Sequence, residues 1–331
     1  MYKEFLKYLT GHIGEILTMQ EMERATGIAR KTLYRYRTRA MKEWSLVQIG
    51  HGKYRPKHES ISYLARPFFE RIPVKYNPGF LRSYTPNISS FLGIEREKIR
   101  LATEDFTLFS TLDYMSNRRA IEIFLVDLSY ASSHLEGNTY DYMDTEILIQ
   151  YGKSNDQKTR DETTMILNHK KAIEHIIANR NDFTFAKKDF FDIHTLLARW
   201  LIHDTYLGIF RTTPVRIGGS RYEPIDDPLI IEIEFQLFIE KLRAIHDPFE
   251  QSLFILVFIP YFQAFIDLNK RTSRISANIP LIAHGHAPIS LIAVEPKTYT
   301  NAILAIYELN DPSLMARVFA ENYILNMRRY M

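Results

Sequence analysis

The sequence predicts a mainly α-helical fold with two small β elements. Apolar residues recur at helical spacing over several long segments, and the most apolar, Phe249 to Phe262, has the pattern of a buried core helix. Strand patterns are confined to two stretches built around glycine turns, Leu46 to Arg55 and Arg211 to Pro224. With 331 residues, 46% of them hydrophobic, the chain is long enough for more than one domain around a sizeable core.

The composition excludes several classes of protein. The chain has no cysteine, which rules out disulfides and thiolate sites and is typical of a reducing compartment. Its start has no signal-peptide pattern, and Pro260 and Gln263 interrupt the longest apolar run. We therefore expect a cytoplasmic protein without a membrane partner.

Basic charge is concentrated at the N-terminus. Residues 1–57 hold 12 Lys or Arg and 5 Asp or Glu, a formal charge of +7, whereas the remainder holds 30 and 34, a charge of −4. This asymmetry indicates a polyanionic partner for the first part of the chain only.

The first segment has the pattern of a winged helix-turn-helix domain. Thr18 and Glu21 have the spacing of a capping box at the start of one helix, Gly27 ends that helix, and a basic helix follows from Ala29 to Met41. Two short strands around a Gly-His-Gly turn, within Leu46 to Arg55, then form the wing.

A winged helix predicts binding of double-stranded DNA through its basic helix. Lys31, Tyr34 and Arg35 are the predicted contacts to the groove. The alternative is a small docking domain with a solvated basic face, because a fold alone does not fix a function.

The most distinctive stretch is a polar loop between two apolar helices, from Gln263 to Arg274. Asp267 can hold a divalent cation, and the arginines with the free N–H groups of a helix N-terminus favour an anion. Together these groups suit a metal-bound polyphosphate. The alternative is a plain helix–loop–helix with a capping Asp and a solvated basic turn.

This stretch resembles the active-site motif of the Fic (Fido) family, His-x-Phe-x-Asp/Glu-Gly/Ala-Asn-Gly/Lys-Arg-x-x-Arg. The residues that match it are Phe265, Asp267, Asn269, Lys270, Arg271 and Arg274. The chain departs from it at Gln263, where the family has its catalytic histidine, and at Leu268, where the family has a small residue. The resemblance implies nucleotide and phosphate binding by Asn269, Lys270, Arg271 and Arg274, with Mg²⁺ on Asp267.

Ser132 to Asn138 resembles the inhibitory motif of the same family, Ser/Thr-x-x-x-Glu-Gly/Asn. In the family the glutamate pairs with the second arginine of the loop and blocks the γ-phosphate of the nucleotide. By position, Glu136 pairs with Arg274, and Ser132 and Gly137 complete the motif. The alternative is a helix C-cap with Gly137 in the left-handed conformation.

Two further segments fit the resemblance. Arg211 to Pro224 predicts a β-hairpin with a Gly-Gly turn, and in the family such a hairpin is the flap that pins a segment of the target protein by main-chain pairing. The flap residues are Ile217, Gly218, Gly219 and Tyr222. Tyr76 to Asn87 resembles the N-terminal strap of many Fic proteins.

The fold that the resemblance implies is a Fic-type helical bundle with a small β-hairpin flap, preceded by a winged helix domain. The predicted domains are residues 1–58 for the winged helix, 59–110 for the linker and strap, and 111–331 for the Fic-like helical domain.

Active Fic enzymes transfer AMP from ATP to a protein hydroxyl, with the motif histidine as general base. Gln263 can orient a hydroxyl but cannot take its proton. Leu268 adds bulk where the backbone must approach phosphates. Our hypothesis is a degenerate site that binds ATP and Mg²⁺ with weak or absent adenylylation, a regulatory pseudoenzyme.

Two alternatives remain open. The chain can be a working AMP transferase in which the target or a water supplies the base. It can also be a transcription regulator whose Fic-like domain serves only for homodimerisation or for docking of partners.

Overall fold

The computed structural model describes residues 1–12, 15–42, 46–56, 59–103 and 118–330, and these are predominantly helical, as predicted. The domain boundaries predicted at residues 58, 110 and 331 lie outside the described residues. No helix in the described ranges combines the length and the apolar character that a membrane crossing requires.

The N-terminal unit packs helices against a small sheet. Its elements are α1 (Tyr2–Gly11), β1 (Leu17–Thr18), α2 (Met19–Thr26), α3 (Arg30–Lys42), β2 (Leu46–Gly50) and β3 (Lys53–Pro56). The predicted capping box is confirmed, because the Thr18 hydroxyl accepts from the Glu21 N–H and the Glu21 carboxylate accepts from the Thr18 N–H at 2.7 Å. Gly27, with φ of 64°, then turns the chain from α2 into α3.

The sheet of this unit is antiparallel, with strand order β1-β3-β2 and a bulge between Gln48 and Gly50. Strands β2 and β3 form a hairpin directly after α3. The unit has its own apolar core, in which Phe5, Met22 and Leu33 are fully buried. The buried residues of this core form a cluster separate from the core of the main body.

A linker carries the chain from this unit to the main body. Its elements are α4 (Glu59–Leu64), a 3₁₀ turn (Phe68–Glu70), β4 (Val74–Lys75), α5 (Pro78–Ser83) and α6 (Glu95–Thr103). Asn77 caps α5 by accepting from the Gly79 N–H at 2.9 Å. The strap-like segment lies on the main core, where Leu81 is fully buried and the Tyr84 hydroxyl donates to Glu250 at 3.0 Å.

The main body is a helical bundle. Its helices are α7 (Arg118–His134), α8 (Tyr142–Tyr151), α9 (Arg160–Ala178), α10 (Lys187–Ala198), α11 (Pro228–Ala244), α12 (Pro248–Phe262), α13 (Asn269–Ser276), α14 (Asn278–Ala283), α15 (Pro296–Leu309) and α16 (Ser313–Tyr330), with a 3₁₀ turn at Asp204–Tyr206. Helix α12 is the centre of the bundle, since all its residues from Phe249 to Phe262 are buried and it contacts α11, α13, α14, α15 and α16. The predicted core helix is thus confirmed, and its C-terminal end carries the polar loop.

The hairpin predicted for Arg211 to Pro224 is corrected by the structure. Gly218 and Gly219 do form a turn, but no strand precedes them in this segment. The second arm, β5 (Tyr222–Glu223), pairs in parallel with β4 instead. The first arm contains Pro214, which has no N–H to donate, and the hydrogen bonds that a hairpin would need are made to the linker, so the segment is a loop. We call Val215–Gly218, the outer part of this loop, the flap arm.

Candidate functional site

The loop between α12 and α13 is held in shape by Asn269. Its side-chain oxygen accepts from the Phe265 N–H at 2.9 Å, and its amide nitrogen donates to the Phe265 carbonyl, also at 2.9 Å. Asn269 is 3% exposed, so these bonds are shielded from water. The asparagine of the motif therefore closes the loop as well as facing the cleft.

Leu268 has the backbone conformation that a glycine adopts most easily. Its φ is 62° and its ψ is 10°, in the left-handed region, at a cost of about 1–2 kcal/mol for a residue with a Cβ. Its side chain is buried in the main core. The turn is thus made with a leucine whose burial offsets the backbone strain.

Gln263 ends α12 in a left-handed conformation, with φ of 49°. Its amide nitrogen donates to the Pro260 carbonyl at 2.8 Å and to the Tyr307 hydroxyl at 2.9 Å, and its oxygen accepts from Asn269 at 3.2 Å. Both ends of the amide have partners, and neither end takes a proton near neutral pH.

Arg211 links the loop from Arg211 to Pro224, which we call the flap loop, to the end of α12. It is 1% exposed, and its four hydrogen bonds end on the backbone carbonyls of Gln263 (2.5 Å), Ala264 (2.9 Å), Thr213 (2.8 Å) and Ile225. Burial lowers the pKa of its guanidinium. No local sequence pattern marks Arg211, because its partners Gln263 and Ala264 are distant in the chain.

Arg274, on α13, is 1% exposed and lies behind Glu136, outside the lining of the cleft. Its guanidinium donates to the Ser132 hydroxyl at 2.9 Å, to the Ser132 carbonyl at 3.0 Å, to the Tyr299 hydroxyl at 3.1 Å and to the Glu136 carboxylate at 2.8 Å. The second arginine of the loop and the glutamate of the upstream motif are therefore in direct contact.

Glu136 has a second basic partner, since its other oxygen lies 3.1 Å from the Lys270 ammonium. Burial alone would raise the pKa of Glu136, but Arg274, Lys270 and Arg271 outweigh it and lower the pKa to about 2. Gly137, with φ of 88°, follows directly. The segment thus ends α7 with a glycine turn and also places a charged carboxylate on the arginine, so the two interpretations of the motif do not exclude each other.

Asp267 is the exposed acid of the cleft, with 61% of its side chain accessible. One of its oxygens accepts from the Leu268 N–H at 2.6 Å, and the other lies 3.2 Å from the Arg271 guanidinium. Among the described residues no cluster of three or more acidic or histidine side chains is placed to hold a metal ion. An ion on Asp267 would therefore complete its coordination with water or with a bound molecule.

His169, on α9, completes the buried end of the site. Its Nε2 lies 2.9 Å from the Ser132 hydroxyl and its Nδ1 lies 2.7 Å from the Met165 carbonyl. No motif in the sequence marks His169 or Tyr299, because His169 contacts Ser132 and Tyr299 contacts Arg274 from helices that are distant in the chain.

The cleft itself has a volume of about 360 Å³. Its walls are Glu136, Val215, Arg216, Ile217, Gly218, Gln263, Ile266, Asp267, Leu268, Asn269, Lys270, Arg271 and Tyr307. The predicted flap residues Ile217 and Gly218 are thus at the cleft, whereas Gly219 and Tyr222 lie outside this lining. Tyr222 is instead buried and stacks on Tyr307, with ring centres 5.2 Å apart.

A buried acid fixes the base of the flap loop. One oxygen of Glu308 accepts from Arg71 at 2.8 Å, from the Ser220 hydroxyl at 2.9 Å and from the Arg221 N–H at 2.9 Å. Arg71 also donates to the Gly219 carbonyl at 2.6 Å. The base of the loop is therefore attached to both α15 and the linker.

The three predicted DNA contacts are not part of this cleft. Lys31, Tyr34 and Arg35 lie together on the exposed side of α3, and Tyr34 is 42% exposed. The neighbouring Arg37 is held between the rings of Tyr34 and Tyr54, with its guanidinium carbon 4.9 Å and 5.6 Å from the ring centres.

Comparison with known proteins finds sequence relatives that are named protein adenylyltransferase Fic. No family model matches the chain. The chain is 28% identical over 181 residues to the protein adenylyltransferase Fic of Aedes aegypti, and 28% identical over 216 residues to that of Culex quinquefasciatus. These matches cover 53% and 63% of this chain but only 36% and 42% of the relatives, so the chain matches well under half the length of either.

Solved structures show the same fold. A Fic-1 structure from C. elegans aligns with a TM-score of 0.61 and 17% identity, over 99% of this chain and 97% of that one. A Fic domain containing signaling protein from Bacteroides thetaiotaomicron aligns with a TM-score of 0.55 and 16% identity, over 73% of this chain and 95% of that one. The chain is thus similar in sequence to two proteins named protein adenylyltransferase Fic, and it shares its fold with solved structures of Fic proteins.

Proposed function

We propose that the cleft binds the triphosphate of a nucleotide, with ATP as the first candidate, and that Glu136 occupies the place of the terminal phosphate when no nucleotide is bound. The observation that carries the proposal is the Glu136 carboxylate held between Arg274 at 2.8 Å and Lys270 at 3.1 Å. A guanidinium and an ammonium that bind a carboxylate also suit a phosphate. Both basic residues belong to α13, whose N-terminal N–H groups and dipole favour the same charge.

The donor set fits Mg²⁺ as a companion of the nucleotide. In nucleotide sites Mg²⁺ takes one or two protein carboxylates and completes its coordination with phosphates and water. Asp267 is exposed at the cleft and would be the carboxylate that holds the ion, which when bound neutralises phosphate charge. Arg271 would then share Asp267 with the ion.

We further propose that transfer of AMP to a protein hydroxyl is weak or absent. The Gln263 amide is hydrogen-bonded at both ends and has no group that accepts the proton of an attacking hydroxyl. General-base catalysis contributes about 10²–10⁴ to a rate, so its loss leaves binding without efficient chemistry. The role that follows is regulatory, with nucleotide occupancy as the signal.

The flap arm offers a place for a protein target. Val215–Gly218 has no strand partner among the described residues, and its backbone can pair with an extended segment. Ile217 and Gly218 also line the cleft, so a segment paired there would lie beside Gln263.

Calorimetric titration of Mg-ATP into the wild type and into Glu136→Gly tests the proposal. We expect at least about tenfold tighter binding by Glu136→Gly, or about 1.4 kcal/mol. Glu321→Gly is the matched control, because Glu321 is an exposed acid paired with Arg317 far from the cleft lining. Absence of binding by both the wild type and Glu136→Gly would contradict the nucleotide site.

A labelled-AMP assay with the same proteins addresses the chemistry. We expect little incorporation into the chain itself or into added protein by the wild type. Efficient transfer by the wild type would instead establish a working transferase whose base is supplied by the target or by water.

A second candidate function is DNA binding by the N-terminal unit. The observation that supports it is the order of the basic helix α3 and the β2–β3 hairpin, which is the order expected for a winged helix, with Lys31, Tyr34 and Arg35 on the exposed side of α3. Duplex DNA should shift with the full chain at about 50 mM salt and less at about 200 mM, because phosphate contacts release counterions. Lys31→Ala with Arg35→Ala should weaken the shift, while Arg317→Ala in the main body should not. A lack of any shift at the lower salt concentration would exclude this function.

A further inference from the structure

Arg274 makes four hydrogen bonds, and three of them do not involve Glu136. Its Nε donates to the Ser132 hydroxyl at 2.9 Å, and its two terminal nitrogens donate to the Ser132 carbonyl at 3.0 Å and to the Tyr299 hydroxyl at 3.1 Å. A buried guanidinium is costly when it loses its partners. These three contacts remain available when the Glu136 carboxylate moves away.

The Ser132 hydroxyl is itself held by His169. The Met165 carbonyl, 2.7 Å from Nδ1, can only accept a hydrogen bond, so Nδ1 carries the ring proton. Nε2 is then an acceptor, and the Ser132 hydroxyl at 2.9 Å donates to it. This direction leaves a lone pair on the Ser132 oxygen for the Nε–H of Arg274.

The surroundings favour a neutral ring. His169 and Ser132 are 1% and 0% exposed. Burial lowers the pKa of His169 to about 3, with help from Arg271 and Arg274 and against the Met165 carbonyl and Glu136. A ring that stays neutral keeps Nε2 as an acceptor, so the hydroxyl of Ser132 keeps its orientation.

We propose that His169 is a positioning residue: through Ser132 it holds the guanidinium of Arg274 in the orientation that receives an anionic phosphate, whether or not Glu136 is present. This inference rests on the proposed nucleotide function and deepens it. Glu136 is the displaceable partner, and Ser132 with His169 is the fixed one. The ligand class is the terminal phosphate of a nucleoside triphosphate, which replaces the carboxylate without reorganisation of the guanidinium.

The chain Met165–His169–Ser132–Arg274 crosses three helices, α9, α7 and α13. Glu136 follows the last residue of α7 by two positions and reaches the same guanidinium. Displacement of Glu136 can therefore alter the turn after α7 while the contact of Ser132, inside α7, stays in place.

The first experiment measures Mg-ATP affinity in the Glu136→Gly background, with His169→Leu and His169→Gln added separately. Leucine removes the acceptor at Nε2, whereas the side-chain oxygen of glutamine can take its place. We expect about tenfold weaker binding for His169→Leu and a change of less than about threefold for His169→Gln, since one hydrogen bond that orients a charged group is lost only in the first. Equal affinity of His169→Leu and its parent would overturn the proposal.

The second experiment needs no nucleotide. The Nε–H resonance of Arg274 is followed by ¹⁵N NMR in the wild type, in Glu136→Gly and in Glu136→Gly with His169→Leu. We expect slow hydrogen exchange in the first two proteins and at least about tenfold faster exchange in the third. Fast exchange in Glu136→Gly alone would show that Glu136 holds the guanidinium and would overturn the proposal.

The two experiments separate this inference from the proposed function. If Glu136→Gly binds no Mg-ATP, the nucleotide site is wrong, and the arginine resonance still decides what His169 does. If His169→Leu does not fold, the protonation of the two ring nitrogens of His169 is measured in the wild type instead. A proton on Nε2 in place of Nδ1 would overturn the hydrogen-bond direction on which the proposal depends.

Discussion

The two ends of the cleft are built from different chemistry. At the α13 end, Arg274 and Lys270 enclose the carboxylate of Glu136, and the pair of Arg274 and Glu136 is almost fully buried. At the α12 end, the Gln263 side-chain amide contacts the Pro260 carbonyl, the Tyr307 hydroxyl and the Asn269 amide, all of them neutral, and the nearby Arg211 guanidinium binds backbone carbonyls. The first end thus holds an ion pair, and the second is a network of polar groups around an amide.

This difference teaches that recognition of an anion and activation of a nucleophile are separate properties of the same loop. Recognition needs fixed positive charge, which arginine and lysine supply at all ordinary pH values. Activation needs a group that accepts a proton near neutral pH, and the described side chains that contact Gln263, namely Tyr307, Asn269 and Arg211, include none. Under the proposed function, this chain has the first property without the second.

The largest expected effect comes from giving the α12 end a base. In Gln263→His with Glu136→Gly, a histidine that donates from Nδ1 to the Pro260 carbonyl keeps Nε2 free as an acceptor. We expect AMP incorporation about 10²–10⁴-fold above that of Glu136→Gly alone, measured with labelled ATP. Gln263→Asn in the same background controls for the substitution itself. An inert double mutant that still binds Mg-ATP would mean that more than the base is missing.

The next largest effect is expected when the ion pair between Arg274 and Glu136 is removed. Arg274→Met leaves the Glu136 carboxylate without its main partner in a buried place, so we expect a loss of about 3–5 kcal/mol in the free energy of unfolding. Denaturant unfolding measures it. Arg317→Met, which removes an arginine from an exposed pair with Glu321, should cost less than about 1 kcal/mol. Similar costs for the two variants would show that Arg274 and Glu136 form no stabilising network.

The pH dependence of the unfolding free energy tests the same ion pair between Glu136 and Arg274. The folded pKa of Glu136, about 2, lies below its ordinary value, so its charge stabilises the fold above about pH 5, and this contribution is lost as the pH falls towards 2. We expect Glu136→Gln to be less stable than the wild type by about 3 kcal/mol at pH 7 and by progressively less below about pH 4.5. The titration of His194 has no contribution from Glu136 and cancels in the difference. Because Glu136 raises the pKa of His169, which is about 3, the two proteins are compared above about pH 4, where His169 is neutral in both. A difference that does not change with pH would contradict the low pKa.

The smallest expected effect is on stability, from substitutions of Leu268 in the turn between α12 and α13. Leu268→Ala and Leu268→Gly both lose the buried side chain, but only glycine accepts φ of 62° without strain. We therefore expect Leu268→Gly to be more stable than Leu268→Ala by about 1 kcal/mol, the reverse of the usual order within helices. Thermal unfolding of the two variants measures this difference in stability. If alanine is the more stable residue, the left-handed conformation at this position is wrong.

Sequence patterns predicted the features that depend on interactions between residues close together in the chain. The run from Leu253 to Phe262 is apolar on all sides, and such a segment is stable only when it is surrounded by other helices. The capping box of Thr18 and Glu21 is formed within four residues, so its pattern is complete in the sequence. The contact between Glu136 and Arg274 followed from the family resemblance, since no local rule joins residues so far apart.

The contacts that escaped prediction depend on the packing of distant segments. His169, Tyr299 and Arg211 have no spacing or composition that marks them, and each acquires its role from a partner on another element. The hairpin was predicted wrongly for the same reason. The pattern around Gly218 and Gly219 correctly indicated a turn and an extended second arm, but the strand that pairs with this arm comes from the linker.

Arg211 has a consequence for how this protein can be altered. Because one side chain serves the carbonyl of Gln263 and the carbonyls of Thr213 and Ile225, the flap loop and the end of α12 behave as a single mechanical part. In a chimaera that joins a foreign flap loop to this α12, the Gln263 carbonyl would lose its side-chain donor unless an arginine is kept at position 211. The flap loop can therefore be exchanged only with Arg211 in place, although Arg211 and Gln263 lie 52 residues apart in the chain.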